Sequence, residues 1–239
     1  MVGGEFPVRV TCEWGVHGVE SAPADAVIVV IDVLCFTTCV SIACGRGATV
    51  FPCVWNDDRA SKLGEAEGAI IAAKRGQPGY TLSPASYGAM PAGVRLVLPS
   101  PNGSTLSFAA RERGVRVVAG SLRNAAAVAR WCDAQRRPVA IVPAGERWAD
   151  GGIRFALEDW LGAGAIASRM AGDRSGEAEA AVAAFERLRG DLRGALARCP
   201  SGRELIGRGY PEDIELAAAL DVDDGVPVLE GNAFTLSRS

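Results

Sequence analysis

The chain has 239 residues, of which 49% are hydrophobic and 22% charged, with a formal net charge of -3. That is enough to bury a large core as one domain, and the lack of any Lys/Arg block excludes the electrostatic footprint of sequence-independent nucleic-acid binding. Seven cysteines, odd in number and without CxxC pairs, argue against a zinc site or a secreted disulfide framework and are expected mostly as buried apolar residues.

Strand-like runs fall near Val8 to Val10 and at 26–31, 48–54, 94–98, 115–119, 139–143 and 226–229, alternating with helix-like stretches at 37–45, 58–75, 103–113, 123–136 and 155–171. Continuous Val/Ile runs suit strands covered on both faces. The fold class expected is therefore a three-layer α/β/α sandwich with a largely parallel, mixed central sheet. The longest apolar run is far short of the roughly 20 residues of a spanning helix. Met1-Val2-Gly3-Gly4-Glu5 lacks the basic start and apolar core of a signal peptide, so no membrane partner and a cytoplasmic location are expected.

From 176 to 220 the sequence is rich in Ala, Glu, Arg and Leu without a strand candidate, and reads as a C-terminal helical segment packed on the sheet of a single domain, 1–239. Ser201-Gly202-Arg203-Glu204 reads as a capping box. Pro211 suits the first turn of a further helix. Pro227 restricts its strand to a sheet edge. The 76–93 connection is long, as functional loops often are.

Several chemistries are excluded. One histidine, His17, rules out multi-histidine metal sites, and its place outside the strand-end loops makes it structural or peripheral. Cys53-Val54-Trp55-Asn56-Asp57-Asp58-Arg59 has thiol-phosphatase spacing but carries two adjacent carboxylates and no glycine for a phosphate cradle. No P-loop is present. Asp221-Val222-Asp223-Asp224-Gly225 follows a helical stretch, lacks later calcium ligands, and reads as a solvated turn.

What remains is carboxylate and backbone chemistry at strand ends, where α/β proteins bind ligands. Asp32 closes the apolar run 26–31, with Thr37 and Thr38 just beyond. Asn102-Gly103-Ser104-Thr105 and Gly120-Ser121, followed by Arg123 and Asn124, place small residues at helix N-termini, where free N–H groups favour phosphate. Glu146 follows the 139–143 strand, and Glu158-Asp159 open the next helix. Oxygen-only ligands suit magnesium, and the metal candidates are Asp32, Glu146, Glu158 and Asp159.

Val30-Ile31-Asp32-Val33-Leu34 with Thr37-Thr38, Asn102-Gly103-Ser104, Ala119-Gly120-Ser121 with Asn124, Ala156-Leu157-Glu158-Asp159 with Gly162-Ala163-Gly164-Ala165-Ile166, and Ser201-Gly202-Arg203-Glu204-Leu205 with Pro211-Glu212-Asp213 together resemble the 2-phosphosulfolactate phosphatases, in order and over nearly the whole chain. The resemblance implies a three-layer α/β fold and magnesium-dependent hydrolysis of (2R)-2-phospho-3-sulfolactate to 3-sulfolactate and phosphate, a step of coenzyme M biosynthesis. A small anionic phosphorylated substrate of this kind needs cations, for which Arg123, Arg147 and Arg154 are candidates, and either a metal-activated water or Asp32 as nucleophile. The family commonly reads Arg-Ala-Thr after Asp-Val-Leu where this chain has Cys35-Phe36-Thr37. Either another arginine substitutes or the substrate is another small phosphorylated acid; a catalytically silent binding protein is the remaining alternative. Cys35 at a helix N-terminus could also be a reactive thiol. Oligomeric state, a homo-oligomer included, is left open.

Overall fold

In the computed structural model, which describes residues 9–54 and 57–237, the run Val27–Ile31 is a strand of five β-branched residues, every one buried. Stiff branched side chains fill both faces of a pleated strand, and this strand lies inside the sheet. In chain order the strands are β1 (Val10–Cys12), β2 (Val27–Ile31), β3 (Thr49–Cys53), β4 (Ile70–Ile71), β5 (Arg95–Pro99), β6 (Arg116–Gly120), β7 (Val139–Pro143), β8 (Glu146–Arg147), β9 (Ile153–Arg154), β10 (Pro227–Glu230) and β11 (Ala233–Leu236). The α-helices are α1 (Gly15–Ser21), α2 (Phe36–Gly45), α3 (Asp57–Glu67), α4 (Gly103–Glu112), α5 (Ala125–Gln135), α6 (Leu157–Ala167), α7 (Gly176–Leu188), α8 (Leu192–Arg198), α9 (Pro200–Gly207) and α10 (Pro211–Ala218). Val8, Trp55 and Asn56 lie outside the described residues.

The main sheet has nine strands in the order β1-β7-β2-β6-β10-β11-β3-β5-β4. The blocks β1-β7-β2-β6 and β3-β5-β4 are each parallel. Between them the antiparallel pairings of β6 with β10, β10 with β11 and β11 with β3 reverse the sense, so the second block runs opposite to the first. The sheet is thus largely parallel and mixed, with helices on its faces: α4 packs against α1, α2, β2, β3 and β6, while α6 packs against α5, α7, β2, β6 and β7. Among the described residues no helix is long and apolar enough to cross a membrane.

Four expectations change. The helix expected over 58–75 stops at Glu67, and Ile70–Ile71 adds a short edge strand, because Gly68 breaks the helix in a left-handed conformation (φ +58°). Pro227 is not on an edge: β10 lies inside the sheet, and Pro227, its first residue, falls outside the single Val228–Val118 pairing with β6, so the missing N–H interrupts no bond there. Ser201 does not cap its helix. It lies inside α9, whose cap is the Cys199 thiol, accepting from Gly202 N–H at 3.3 Å. The segment 221–225 is not merely solvated: Asp221 accepts from Ala126 N–H at the start of α5 and pairs with Arg169, and Asp223 pairs with Arg123 and accepts from Ser41 Oγ. Turn chemistry was visible in that sequence, but its partners are distant along the chain. Pro211 does open α10.

The C-terminal helices share the main core, to which Ala178, Ala181, Phe185, Leu192, Leu196, Leu205 and Ile214 all contribute. Gly120 ends β6 beneath α6, where an added Cβ would meet Ile166 Cδ1 at 2.6 Å, Val29 Cγ1 at 2.7 Å and Ile31 Cδ1 at 2.8 Å. Gly120→Ala overpacks this contact and should cost about 1–3 kcal/mol. A thermal melt should then show a midpoint lower by roughly 3–10 °C; an unchanged midpoint would contradict this packing.

Candidate active site

The site starts from Asp32, the first residue after β2. Its backbone N–H donates to Thr37 Oγ1 at 3.0 Å, and its carbonyl accepts from Thr37 N–H at 2.8 Å; Thr38 Oγ1 donates to Val33 O at 2.7 Å. Both threonines are therefore buried in the turn that aims Asp32, with their hydroxyls turned to the backbone. The Asp32 carboxylate is almost fully buried. Its Oδ2 accepts from Gly103 N–H at 2.8 Å and Ser100 Oγ at 3.5 Å, and its Oδ1 accepts from Phe36 N–H at 3.4 Å.

Gly103 is the first residue of α4, and a Cβ there would meet Phe36 Cδ1 at 2.2 Å and Asp32 Oδ2 at 2.9 Å. Only glycine lets the helix N-terminus close on the carboxylate. The N–H groups of a helix's first turn have no intrahelical partner, so those following Gly103 remain suited to an anion. Ser104 does not offer its hydroxyl to that anion; Oγ donates to Leu98 O. Asn102 does reach the site, with Nδ2 donating to Glu146 Oε2 at 3.0 Å.

Asp159, on α6, accepts from Val33 N–H at 2.7 Å through Oδ1 and from Gly145 N–H at 2.9 Å through Oδ2. It pins the turns after β2 and β7 to one helix, which gives it a positioning role beside the metal-binding one expected of it. Its neighbour Glu158 is also buried, and its Oε2 has no hydrogen-bond partner. Burial, and then the charge of Glu146, push Asp32 up to about 7, against the lowering effect of the Gly103 and Phe36 N–H groups. Burial likewise raises Glu146, countered by its Asn102 bond, and holds Asp159 well above the usual carboxylate range, with Asp32 adding to it. Arg154 on β9 moderates this negative field, lowering Glu146 and donating to Ser201 Oγ at 3.3 Å.

Among the described residues, no group of three or more His, Cys, Asp or Glu side chains forms a ready metal cage. Magnesium is ordinarily held by one or two carboxylates, waters and substrate phosphate rather than by an all-protein cage. Hard oxygens from one or two of Asp32, Glu146 and Glu158 suit such an ion, and the orphaned Glu158 Oε2 is an acceptor that a cation would satisfy.

The second turn assigned to phosphate is occupied by the protein itself. Asn124 Oδ1 accepts from Ser121 N–H and Oγ, Asn124 Nδ2 donates to Ala119 O, and Gly120 is packed under α6. Arg123 forms a two-pronged pair with Asp223 and donates to Leu216 O, so it ties α10 and the 221–225 turn together instead of facing substrate. Cys35 is buried under the Arg75 guanidinium, whose Nη2 donates to Sγ at 3.1 Å; burial raises the thiol far above its ordinary value despite that charge, which removes the reactive-thiol reading. Arg75 itself pairs with buried Asp213, which accepts from Ser83 Oγ. Neither Arg75 nor Ser100 was marked by sequence: no motif surrounds Arg75, and its partners lie 40 and 138 residues away.

A sequence profile described as 2-phosphosulpholactate phosphatase matches residues 16–232. A protein of Carboxydothermus hydrogenoformans named as a probable 2-phosphosulfolactate phosphatase is 33% identical over 212 residues, 85% of this chain and 86% of the relative. The chain belongs to the 2-phosphosulfolactate phosphatase family. It is thereby a member of a family of phosphoric monoester hydrolases. A Gloeobacter violaceus relative, likewise named as a probable 2-phosphosulfolactate phosphatase, is 31% identical over 83% of this chain and 86% of its own. The Methanothermobacter thermautotrophicus 2-phosphosulfolactate phosphatase is 27% identical over 91% of this chain and 92% of its own.

The raised Asp32 fixes a sign for stability. An unfolded Asp titrates near about 4 and the folded one near about 7. The folded state thus holds an extra proton between these values, and the associated stability is complete below the lower and lost as pH rises through the upper. The melting temperature of Asp32→Asn relative to wild type should therefore climb as pH is raised from about 4 to about 8. A difference independent of pH would contradict a raised Asp32.

Proposed function

We propose that the chain is a magnesium-dependent phosphatase that hydrolyses (2R)-2-phospho-3-sulfolactate to 3-sulfolactate and phosphate, the reaction type of coenzyme M biosynthesis. The observation that carries this reading is the Asp32 carboxylate, buried at a strand end, bonded to the α4 N-terminus and surrounded by Glu146, Glu158 and Asp159. Membership of the family and the names of its relatives support it.

Asp32 and one of Glu146 and Glu158 would hold magnesium, which when bound supplies charge neutralisation for the phosphoryl oxygens. The first turn of α4 orients the phosphate through backbone N–H groups. Arg154 faces the same acidic field from β9 and reduces repulsion against an anionic substrate. Gly103 N–H keeps Asp32 Oδ2 in place, leaving Oδ1, with its single long bond to Phe36 N–H, as the freer oxygen for reaction. Attack by Oδ1 on phosphorus breaks the ester P–O bond, 3-sulfolactate leaves with its oxygen protonated from solvent, and water then hydrolyses the phosphoaspartyl enzyme to phosphate; alternatively, that oxygen takes the proton from a water that attacks phosphorus as the same P–O bond breaks. Seven buried free thiols support a reducing, cytoplasmic setting.

Purified protein with 2-phosphosulfolactate should release phosphate with added magnesium and stop in EDTA, with recovery when magnesium is restored. Activity unaffected by EDTA would contradict the metal assignment, and no release from this ester would contradict the substrate. Acid quench during turnover of substrate labelled in its phosphate assigns the nucleophile: label on the Asp32 peptide marks the aspartyl route, and turnover without it marks water.

A further inference from the structure

A cleft of about 290 Å³ opens at Asn102, walled by the first turn of α1, the first turn of α4 and the β8–β9 hairpin. Its size lies at the small end of ligand pockets. Asn102 and Ala144 border it, and both belong to turns of the catalytic carboxylates: Asn102 donates to Glu146, and the next residue, Gly103, donates to Asp32. The cleft therefore begins one residue from the reacting centre.

Its charge is opposite to that of the centre. The positive charge is that of Arg147, the His17 imidazole also lines the cleft, and no acidic side chain does. Of the other arginines near the strand ends, Arg123 is paired with Asp223 and Arg75 with Asp213, while Arg154 donates to Ser201 and faces Glu146. The Arg147 side chain has no ion-pair or hydrogen-bond partner among the described residues, although its backbone is fixed in the hairpin by register with Ile153. His17 is held at Nδ1 by Glu20 at 3.0 Å, which leaves Nε2 as its open edge.

Resting on the reading of a phosphorylated, sulfonated substrate, we propose that this cleft is the subsite for the sulfonate of the substrate, with Arg147 as its principal specificity-determining residue and His17 as a second donor. A substrate whose phosphate lies at Asp32 and the α4 N-terminus must keep both its sulfonate and its carboxylate away from Glu146 and Glu158, and the cleft is the adjoining space that meets the sulfonate, carried on its methylene arm, with a cation. The guanidinium grips an oxyanion by two parallel N–H bonds, which a lysine cannot reproduce.

The test compares kcat/KM for 2-phosphosulfolactate with that for 2-phospholactate, in which a methyl group replaces the sulfonomethyl group. Wild type should favour the sulfonated ester by about 10–100-fold. In Arg147→Ala that ratio should collapse toward one, mainly through KM, with Arg147→Lys intermediate and His17→Ala showing a smaller loss. Arg147 is exposed on the hairpin, so a melt matching wild type will verify folding. Wild type that does not hydrolyse 2-phosphosulfolactate overturns the underlying reading. Wild type that does, beside an Arg147→Ala protein that keeps the full preference, overturns the subsite alone.

Discussion

The bond from Gly103 N–H to Asp32 Oδ2, at 2.8 Å, joins residues 71 apart in sequence and ties the first parallel block to the second. β2 delivers Asp32 from one block, and β5 delivers the α4 N-terminus from the other, which runs in the opposite sense. Burying a carboxylate is costly without donors. Here the cost is offset by the Gly103 and Phe36 N–H groups, and a side chain at position 103 would remove the main contact by collision with Phe36 and Asp32.

Asp159 does the complementary work. By holding Val33 and Gly145 N–H groups with its two oxygens, it fixes the turns that carry Asp32 and Glu146 to the start of α6. Four carboxylates thus share one strand-end region with unlike duties. Asp159 is committed to the backbone and Glu146 is half-satisfied by Asn102, whereas Glu158 has an orphaned oxygen and Asp32 an under-used one. Their mutual repulsion and burial leave the region short of positive charge, which a divalent cation would supply under the proposed function.

The central strands and Asp32 were legible because a run such as Val27–Ile31 has a clear physical signature, and a charged residue at its end needs a reason. The Asn102-Gly103 turn was legible as a helix start. What sequence could not separate was a turn that serves a ligand from one that serves itself: Gly120-Ser121-Asn124 has the right residue types, but Asn124 consumes the donors that a phosphate would need. Arg123 likewise carried the right charge, and only the fold brings Asp223 onto it from 100 residues away. The interior position of β10 was hidden because Pro227 forbids only the bond that its own N–H would make, and that pairing spares it.

The most direct measurement is the single-turnover rate of phosphate release from 2-phosphosulfolactate by Asp32→Asn beside wild type, at saturating magnesium and substrate and with folding verified by thermal melt. The account predicts a fall of about 10²–10⁴-fold with the substrate still bound. A folded Asp32→Asn protein that releases phosphate at the wild-type rate would contradict the assignment of Asp32 as the catalytic carboxylate.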